Sequence, residues 1–396
     1  MESNPSFDRS LAVLTSFVYF VQGALSLSGI AFLLYLRGRG WGVSQIATFS
    51  FVIGLPWALK LLYGAFSDAV PIQGLRRKPY LILASVLSLG CWIGISFTPS
   101  SAFLLYALAL TSNLGFAVTD VVTDALIVEN SREDTAQLYQ SLAWGFRSFG
   151  AIVGGVLGGW LAQHLPYSWA FLATASLPVT TLVASFFIHE SQTQGETQTQ
   201  NILKPILQSL KALSEPDSRL FAGLLLTLSF SASFGTPFFF FLKEKLKFSE
   251  IFLGSLSSLA WFGAIIGCFF YGKFLKQIPV KKTLFLAVGI NVVNILSTYG
   301  ILNTWSAAAL SFLGGILSYL TLLPLMASAA LFSRKPGIQG SLFALFMSVH
   351  NLGQILSTFL GGKLFDIMGL RMLILVSALV SLPGLVFASR IKSLES

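Results

Sequence analysis

From residue 11 to residue 36 the chain carries no charged side chain, and apolar runs of comparable length recur along nearly all of it. A helix of about 20 apolar residues spans a hydrocarbon core of about 30 Å. A chain built from many such runs has no polar face to offer water on most of its helices, so it has to be read against lipid. The balance agrees: of 396 residues, 54% are apolar and 10% charged. The runs are continuous and not alternating, which excludes an outer-membrane barrel. The expected fold class is an all-α polytopic membrane protein. The opening "MESNPSFDRS" has no basic leader region, and the first run is too long for a signal peptide, so the first span is expected to stay in the protein. Cys91 and Cys268 both fall in apolar runs and suggest neither a disulfide framework nor a metal site. The net charge of +9 is read as a topology signal and not as a nucleic-acid footprint.

Twelve spans are expected, near residues 11–36, 44–66, 79–97, 102–127, 137–163, 168–188, 219–242, 250–272, 282–301, 305–331, 338–362 and 370–389. The polar stretch 189–218, with "ESQTQGETQTQN", reads as a solvated connector between a first half, 1–188, and a second, 219–396. With both termini in the cytoplasm, 16 Lys and Arg fall on cytoplasmic segments and seven on outer ones, a bias that favours this orientation in a cell (inner) membrane. The halves also echo each other. "YGAF" at 63–66 returns as "YGKF" at 271–274, and "FLLYLR" before "SQI" returns as "FFFFLK" before "SEI". Gly150, Gly158 and Gly159 match Gly353, Gly361 and Gly362 at a constant offset of 203. Parallel six-span repeats joined by a polar loop are the sequence form of a two-bundle transporter, the major facilitator arrangement.

Several stretches resemble the folate–biopterin transporters, a branch of the major facilitator superfamily. They are "PWALKLLYGAFSDAVPIQGLRRKPYLIL" (56–83), "DVVTDALIVENSR" (120–132), "FFFFLKEKLKFSEIFLG" with "YGKFLKQIPVKK", and "GSLFALFMSVHNLG" (340–353). The likeness spans both halves. Leu61 stands where the family pattern leads one to expect proline, and the central loop is short for the family. The resemblance implies uptake of folates or pterins, coupled to protons; a monomer is expected.

Independently of the resemblance, charge is buried at one depth. Lys60 lies about 12 Å in from Asp68, Asp120 about 13–14 Å in from Glu129, and Arg147 about 15 Å in from Gln137, taking 1.5 Å per residue. Each charge costs roughly 2.5–3.5 kcal/mol on insertion scales, so such groups face one another or a wet cavity. Lys60 and Arg147 suit an anionic cargo, and Asp120 suits proton coupling. An ion network that only braces the first half fits the same placement. Asp124 sits one turn from Asp120 on the same face, within reach of Arg132 or Arg147. Trp144, three residues before Arg147, would pair an indole with the guanidinium and suit a flat heteroaromatic cargo, or simply pack. By the 203 offset His350 is the counterpart of Arg147 and Asn351 that of Ser148. Gln22, Ser231, Ser233 and Thr236 are further polar candidates. Pro56 and Pro237 are expected to break spans 2 and 7.

Asp68 with Arg76, Arg77 and Lys78, together with Arg132, reads as a cytoplasmic gate. The carboxylate is expected to pair with basic groups and with the N-terminus of a neighbouring helix, span 11 being the candidate. "GCFFYGKF" lacks the Ser or Thr of a phosphate-binding loop and is the end of a span, so nucleotide binding is rejected. Gly150, Gly154 and Gly158 read as a close-packing ladder. With no metal-ligand spacing and no nucleophile–base pair, an enzyme is not expected, and no cofactor is called for. A carrier for another organic anion, and a non-transporting scaffold, remain open beside the folate or pterin importer.

Overall fold

The computed structural model describes residues 8–130, 133–190, 203–231, 234–275, 277–335 and 338–392. Among these every regular element is helical. Span 1 is α1 (Arg9–Ala24) and α2 (Ser26–Gly38), bent at Leu25. Its start is fixed by Asp8, whose carboxylate accepts from the Ser10 and Leu11 N–H groups, two of the donors a helix start leaves free. Span 2 is α3 (Val43–Ala58) and α4 (Lys60–Ala69). Spans 3 to 6 are α5 (Lys78–Ser96), α6 (Ala102–Asn130), α7 (Glu133–His164) and α8 (Tyr167–Phe186).

In the second half, span 7 is α10 (Pro216–Ser231) and α11 (Gly235–Phe240), and span 8 begins as α12 (Glu250–Phe270). Spans 9 and 10 are α13 (Val280–Ser297) and α14 (Thr304–Phe332). Helix α15 (Gln339–Ser381) and α16 (Pro383–Arg390) follow. The 52 residues from Gln339 to Arg390 would reach about 78 Å if straight, more than twice a bilayer core. They fold back at Gly369, whose φ of +71° and ψ of 173° belong to a region that only glycine enters without strain. Among the described residues ten stretches are long and apolar enough to span; dividing the longest at Gly369 and adding α7 gives the expected twelve.

Both expected breaks occur. Pro56 lies in the last turn of α3, where it removes a backbone donor; Leu59 then leaves the helix (φ −105°, ψ 16°) and Lys60 opens α4. Leu61 falls in that first turn, a place compatible with either leucine or proline. In span 7 the break lies at Phe234 (φ −105°, ψ 31°), just ahead of Thr236 and Pro237. The connector differs from expectation. Residues 203–213 form the amphipathic helix α9, with Ser209 and Ala212 buried, and it packs on α4 and α15. An amphipathic stripe needs an apolar surface, and the ends of spans 2 and 11 supply it. Residues 191–202 lie outside the described part.

The glycine ladder of α7 packs closely, as its spacing implies. A β-carbon at Gly158 would meet the Leu27 carbonyl oxygen at 2.6 Å. A second ladder on α7 was not anticipated: a β-carbon at Gly155 would lie 2.5 Å from Ser258 Oγ, and one at Gly159 would lie 2.5 Å from the Glu250 carbonyl oxygen. Span 5 is thereby pressed against span 1 on one side and span 8 of the other half on the other. The 203 offset reappears as repeated bonding. Lys78 Nζ donates to the Phe186 and Ile188 carbonyls, and Lys281 Nζ to those of Ser389 and Ile391, 203 positions on in every case.

Candidate functional site

The helix break in span 2 places Lys60 at the start of α4 and aims it at α6. Its ammonium forms an ion pair with Asp120. The other Asp120 oxygen accepts Gln22 Nε2 of α1 at 2.5 Å. The Asp120 side chain is 3% exposed and that of Lys60 18%, so the pair lies inside the protein. Lys60 also stands 5.0 Å over the Trp57 ring, three residues earlier on the same face. Trp57 Nε1 donates to Asn113 Oδ1 at 3.0 Å. Its carbonyl, at the helix break, accepts Asn351 Nδ2 from span 11 at 2.8 Å. Trp57 therefore joins the ion pair, span 4 and the opposite half.

Arg147 is brought near this level but forms no ion pair among the described residues. Its guanidinium lies 5.3 Å over Trp144, in the same Trp-x-x-cation spacing as Trp57 and Lys60. Trp144 in turn meets Tyr319 of span 10 edge-on, with centroids 6.2 Å apart. Two buried atoms near Asp120 and Trp144 have no hydrogen-bond partner among the described residues, the acceptor Gln22 Oε1 and the donor Arg147 Nε. Asp124 accepts the Tyr19 hydroxyl at 2.5 Å and forms no ion pair with Arg147; its other expected partner, Arg132, lies outside the described residues. His350 Nδ1 lies 2.5 Å from Ser229 Oγ in the second half.

The basic cluster is organised differently from the expected gate. Asp68 pairs with Arg77, but the third member is Glu129 at the end of α6, and no bond from Asp68 to span 11 appears among the described residues. Helices α4 and α15 do touch, but Arg77, held between Asp68 and Glu129, takes up the Asp68 carboxylate. Arg77 also donates to Ser67 Oγ at 2.7 Å. Glu190 supplies the helix-terminal anion, accepting the N–H groups of Arg76, Arg77 and Lys78 at the start of α5 at 2.7–3.1 Å. Arg76 contributes its backbone, and its Nε is buried without a partner among the described residues. Arg132 and Ser233 lie outside the described residues, as does the side chain of Ser231.

Sequence reasoning missed Tyr19, Trp57, Asn113, Glu129 and Glu190. Trp57 could have been found from its three-residue spacing to Lys60. The others depend on which helices are neighbours.

Two cavities flank the site. One, of about 680 Å³, lies between the halves and is lined by Phe32, Phe49, Trp92, Asn113, Thr236 and Phe239 among others. The second, of about 460 Å³, lies in the second half against His350 and Gln354. At the loop end beyond the first cavity, Arg37 of span 1 pairs with Glu244 of span 7, Nε to Oε1 at 2.7 Å, and lies over Phe240 at 5.4 Å. That end is a clamp between the halves.

Two halves closed at one end around an internal cavity, with ionisable groups in broken and unbroken spans, define a multi-pass membrane protein of the major facilitator fold. Solved structures of that shape agree: a nucleoside transporter, NupG, superposes with a TM-score of 0.73 at 13% identity over 98% of this chain and 99% of that one. A D-xylose–proton symporter gives 0.70 at 13% identity over 98% and 97%. The chain belongs to the BT1 family, whose model matches residues 22–391. A folate-biopterin transporter of Synechocystis is 30% identical over 97% of this chain and 81% of its own length. A probable folate-biopterin transporter 4 of Arabidopsis thaliana is 28% identical over 92% and 90%. Folate transporter 2 of Plasmodium falciparum is 26% identical over 81% and 72%.

Proposed function

We propose that this chain is a monomeric secondary transporter that imports folate or pterin-like compounds with protons by alternating access. The halves 1–188 and 219–396 rock about the site, linked by 189–218, with both termini cytoplasmic in the cell (inner) membrane. The observation that carries this reading is the buried Lys60–Asp120 pair with Gln22, held at a helix break that the opposite half reaches through Asn351. An ion pair at such a break combines a costly charge with backbone that can rearrange. The relatives' names supply the cargo class.

In this mechanism Lys60 and Arg147 attract the carboxylates of the cargo, while Trp144 and Trp57 present flat faces to it. Asp120 releases Lys60 when it takes a proton, so proton and anion enter together. Asp124 and Tyr19 form a neighbouring proton-accepting pair. On the Arg77 side, Asp68, Arg77 and Glu129 act as the inner lock. On the other side, the Arg37–Glu244 pair and the Gly155–Ser258 contact close the outer path.

The test is uptake into proteoliposomes of labelled folate, a neutral pterin and a panel of other organic anions, with and without an inward proton gradient. Folate or pterin accumulation that requires the gradient supports the reading, and Asp120→Asn abolishes it while leaving exchange. Selective uptake of another anion reassigns the cargo, and no flux of any kind favours a scaffold. Gradient-driven folate uptake at the normal rate in Asp120→Asn removes that residue from coupling.

A further inference from the structure

The second cavity differs in kind from the charged site. The residues that line its 460 Å³ include no Asp, Glu, Lys or Arg, and its volume lies in the range of about 300–1,000 Å³ usual for small-molecule pockets. Aromatic rings form part of its wall. Phe234 and Phe238 meet edge to face with centroids 5.8 Å apart, and Tyr319 closes the side toward the first half. Its polar side chains are amides and hydroxyls, with the imidazole of His350. Gln354 is exposed, and its side-chain amide forms no hydrogen bond among the described residues; Asn294 donates to Ser318 Oγ at 3.0 Å and keeps its carbonyl oxygen. His350 bonds Ser229 and also lines the space.

The two sites are linked through their walls. Tyr319 packs edge-on against Trp144, and Trp144 carries Arg147. Gly235 and Phe238 line both this cavity and the one between the halves, so the two spaces adjoin at the break in span 7. A cargo whose flat end lies against Tyr319 therefore has Trp144, and with it Arg147, on the side of the first half.

Resting on the transport function proposed above, we infer that the halves divide one cargo between them. The second half holds a neutral, planar heteroaromatic ring system in the cavity of Phe234, Phe238, Tyr319, Asn294, Gln354 and His350, and the first half holds the anionic tail. The chemistry is that of a pterin-type ring, whose edge carries adjacent amide-like donors and acceptors. Side-chain amides match such an edge in pairs, and aromatic faces match its plane. A charged wall would add nothing to a neutral ring and would cost desolvation. Lys60 and Arg147 supply what the tail requires.

The test uses purified full-length protein and three probes: a neutral pterin without carboxylates, p-aminobenzoylglutamate as the tail alone, and folate. Equilibrium binding is measured for the wild type, Gln354→Leu, Asn294→Leu and Lys60→Gln, each checked for a monodisperse folded state. Gln354→Leu and Asn294→Leu are each expected to weaken the pterin and folate roughly three- to tenfold, the loss of about one neutral hydrogen bond, and to leave the tail probe within twofold. Lys60→Gln is expected to show the reverse selectivity. Gln354 is exposed to the cavity and bears little on folding, so its variant keeps the test open if Asn294→Leu fails to fold. Pterin binding unchanged in Gln354→Leu, or a tail probe weakened as much as the pterin, overturns the division of the cargo while the transport function stands. If the wild type binds none of the three probes, the folate reading fails and this inference falls with it.

Discussion

Replacing Lys60 by methionine, Lys60→Met, removes the ammonium and keeps nearly all of the stem. Asp120 is then left 3% exposed, with Gln22 Nε2 at 2.5 Å as its remaining side-chain donor. Removing one partner of a buried ion pair costs about 3–5 kcal/mol, since the other charge stays buried and unpaired. The Gln22 bond, worth about 1.5–3 kcal/mol to a charged acceptor, is present before and after the change and so does not reduce that loss. The reciprocal change is milder. In Asp120→Asn the lysine side chain is 18% exposed and still lies over Trp57, so about 1–2 kcal/mol is expected. The double variant leaves no unpaired charge and should cost about 1–3 kcal/mol, well below the sum of the single changes. A coupling of about 2–4 kcal/mol follows, far outside the roughly 0.5 kcal/mol within which independent sites add. Reversible unfolding in mixed micelles, titrated with dodecyl sulfate and followed by tryptophan fluorescence, measures it. Additive single and double variants would refute a buried, mutually neutralising pair and leave Lys60 and Asp120 as separate groups.

Asp68→Asn is expected to slow turnover several-fold and leave cargo affinity within twofold, because Asp68 bonds Arg77 at the membrane edge and lines neither cavity; comparison of transport rate with equilibrium binding checks this, and a large loss of affinity in folded protein contradicts it. Glu190→Ala should cost about 1–2 kcal/mol of stability, since three backbone N–H groups at the start of α5 lose their anion; a change below about 0.3 kcal/mol in the same unfolding assay would show that solvent replaces it freely. Gly155→Leu should hold α7 away from α12, where even a β-carbon lies 2.5 Å from Ser258 Oγ. Labelling of a Ser257→Cys reporter in the cavity by an impermeant maleimide should rise several-fold from the Arg37 side, and unchanged labelling would rule out that contact as the outer closure.

The fold was legible in the sequence because a bilayer leaves a long apolar run few options: the backbone must satisfy itself, so each run becomes a helix. Both helix breaks were readable as well, from Pro56 and Pro237, and so was the close-packed face of α7 from Gly150, Gly154 and Gly158. The internal repeat was visible as glycines 203 residues apart, and the structure extends it to Lys78 and Lys281. The expectation from counting along each helix that Lys60 and Asp120 stand at one level agrees with their ion pair, since rise per residue is fixed.

What counting could not supply was rotation and neighbourhood. Depth along a helix axis says nothing about which way a side chain points, and a turn of 100° per residue separates partners from strangers at the same level. Tertiary packing therefore decided that Asp120 meets Lys60 and Gln22 while Asp124 meets Tyr19. It left Arg147 without a carboxylate partner among the described residues. It set Glu129 and Glu190 beside Arg77. The sequence determined how far along its span each charge sits, because helix rise fixes that along one dimension. Which of them neutralise one another depends on distances between helices far apart in the chain, and those exist only once the spans have packed.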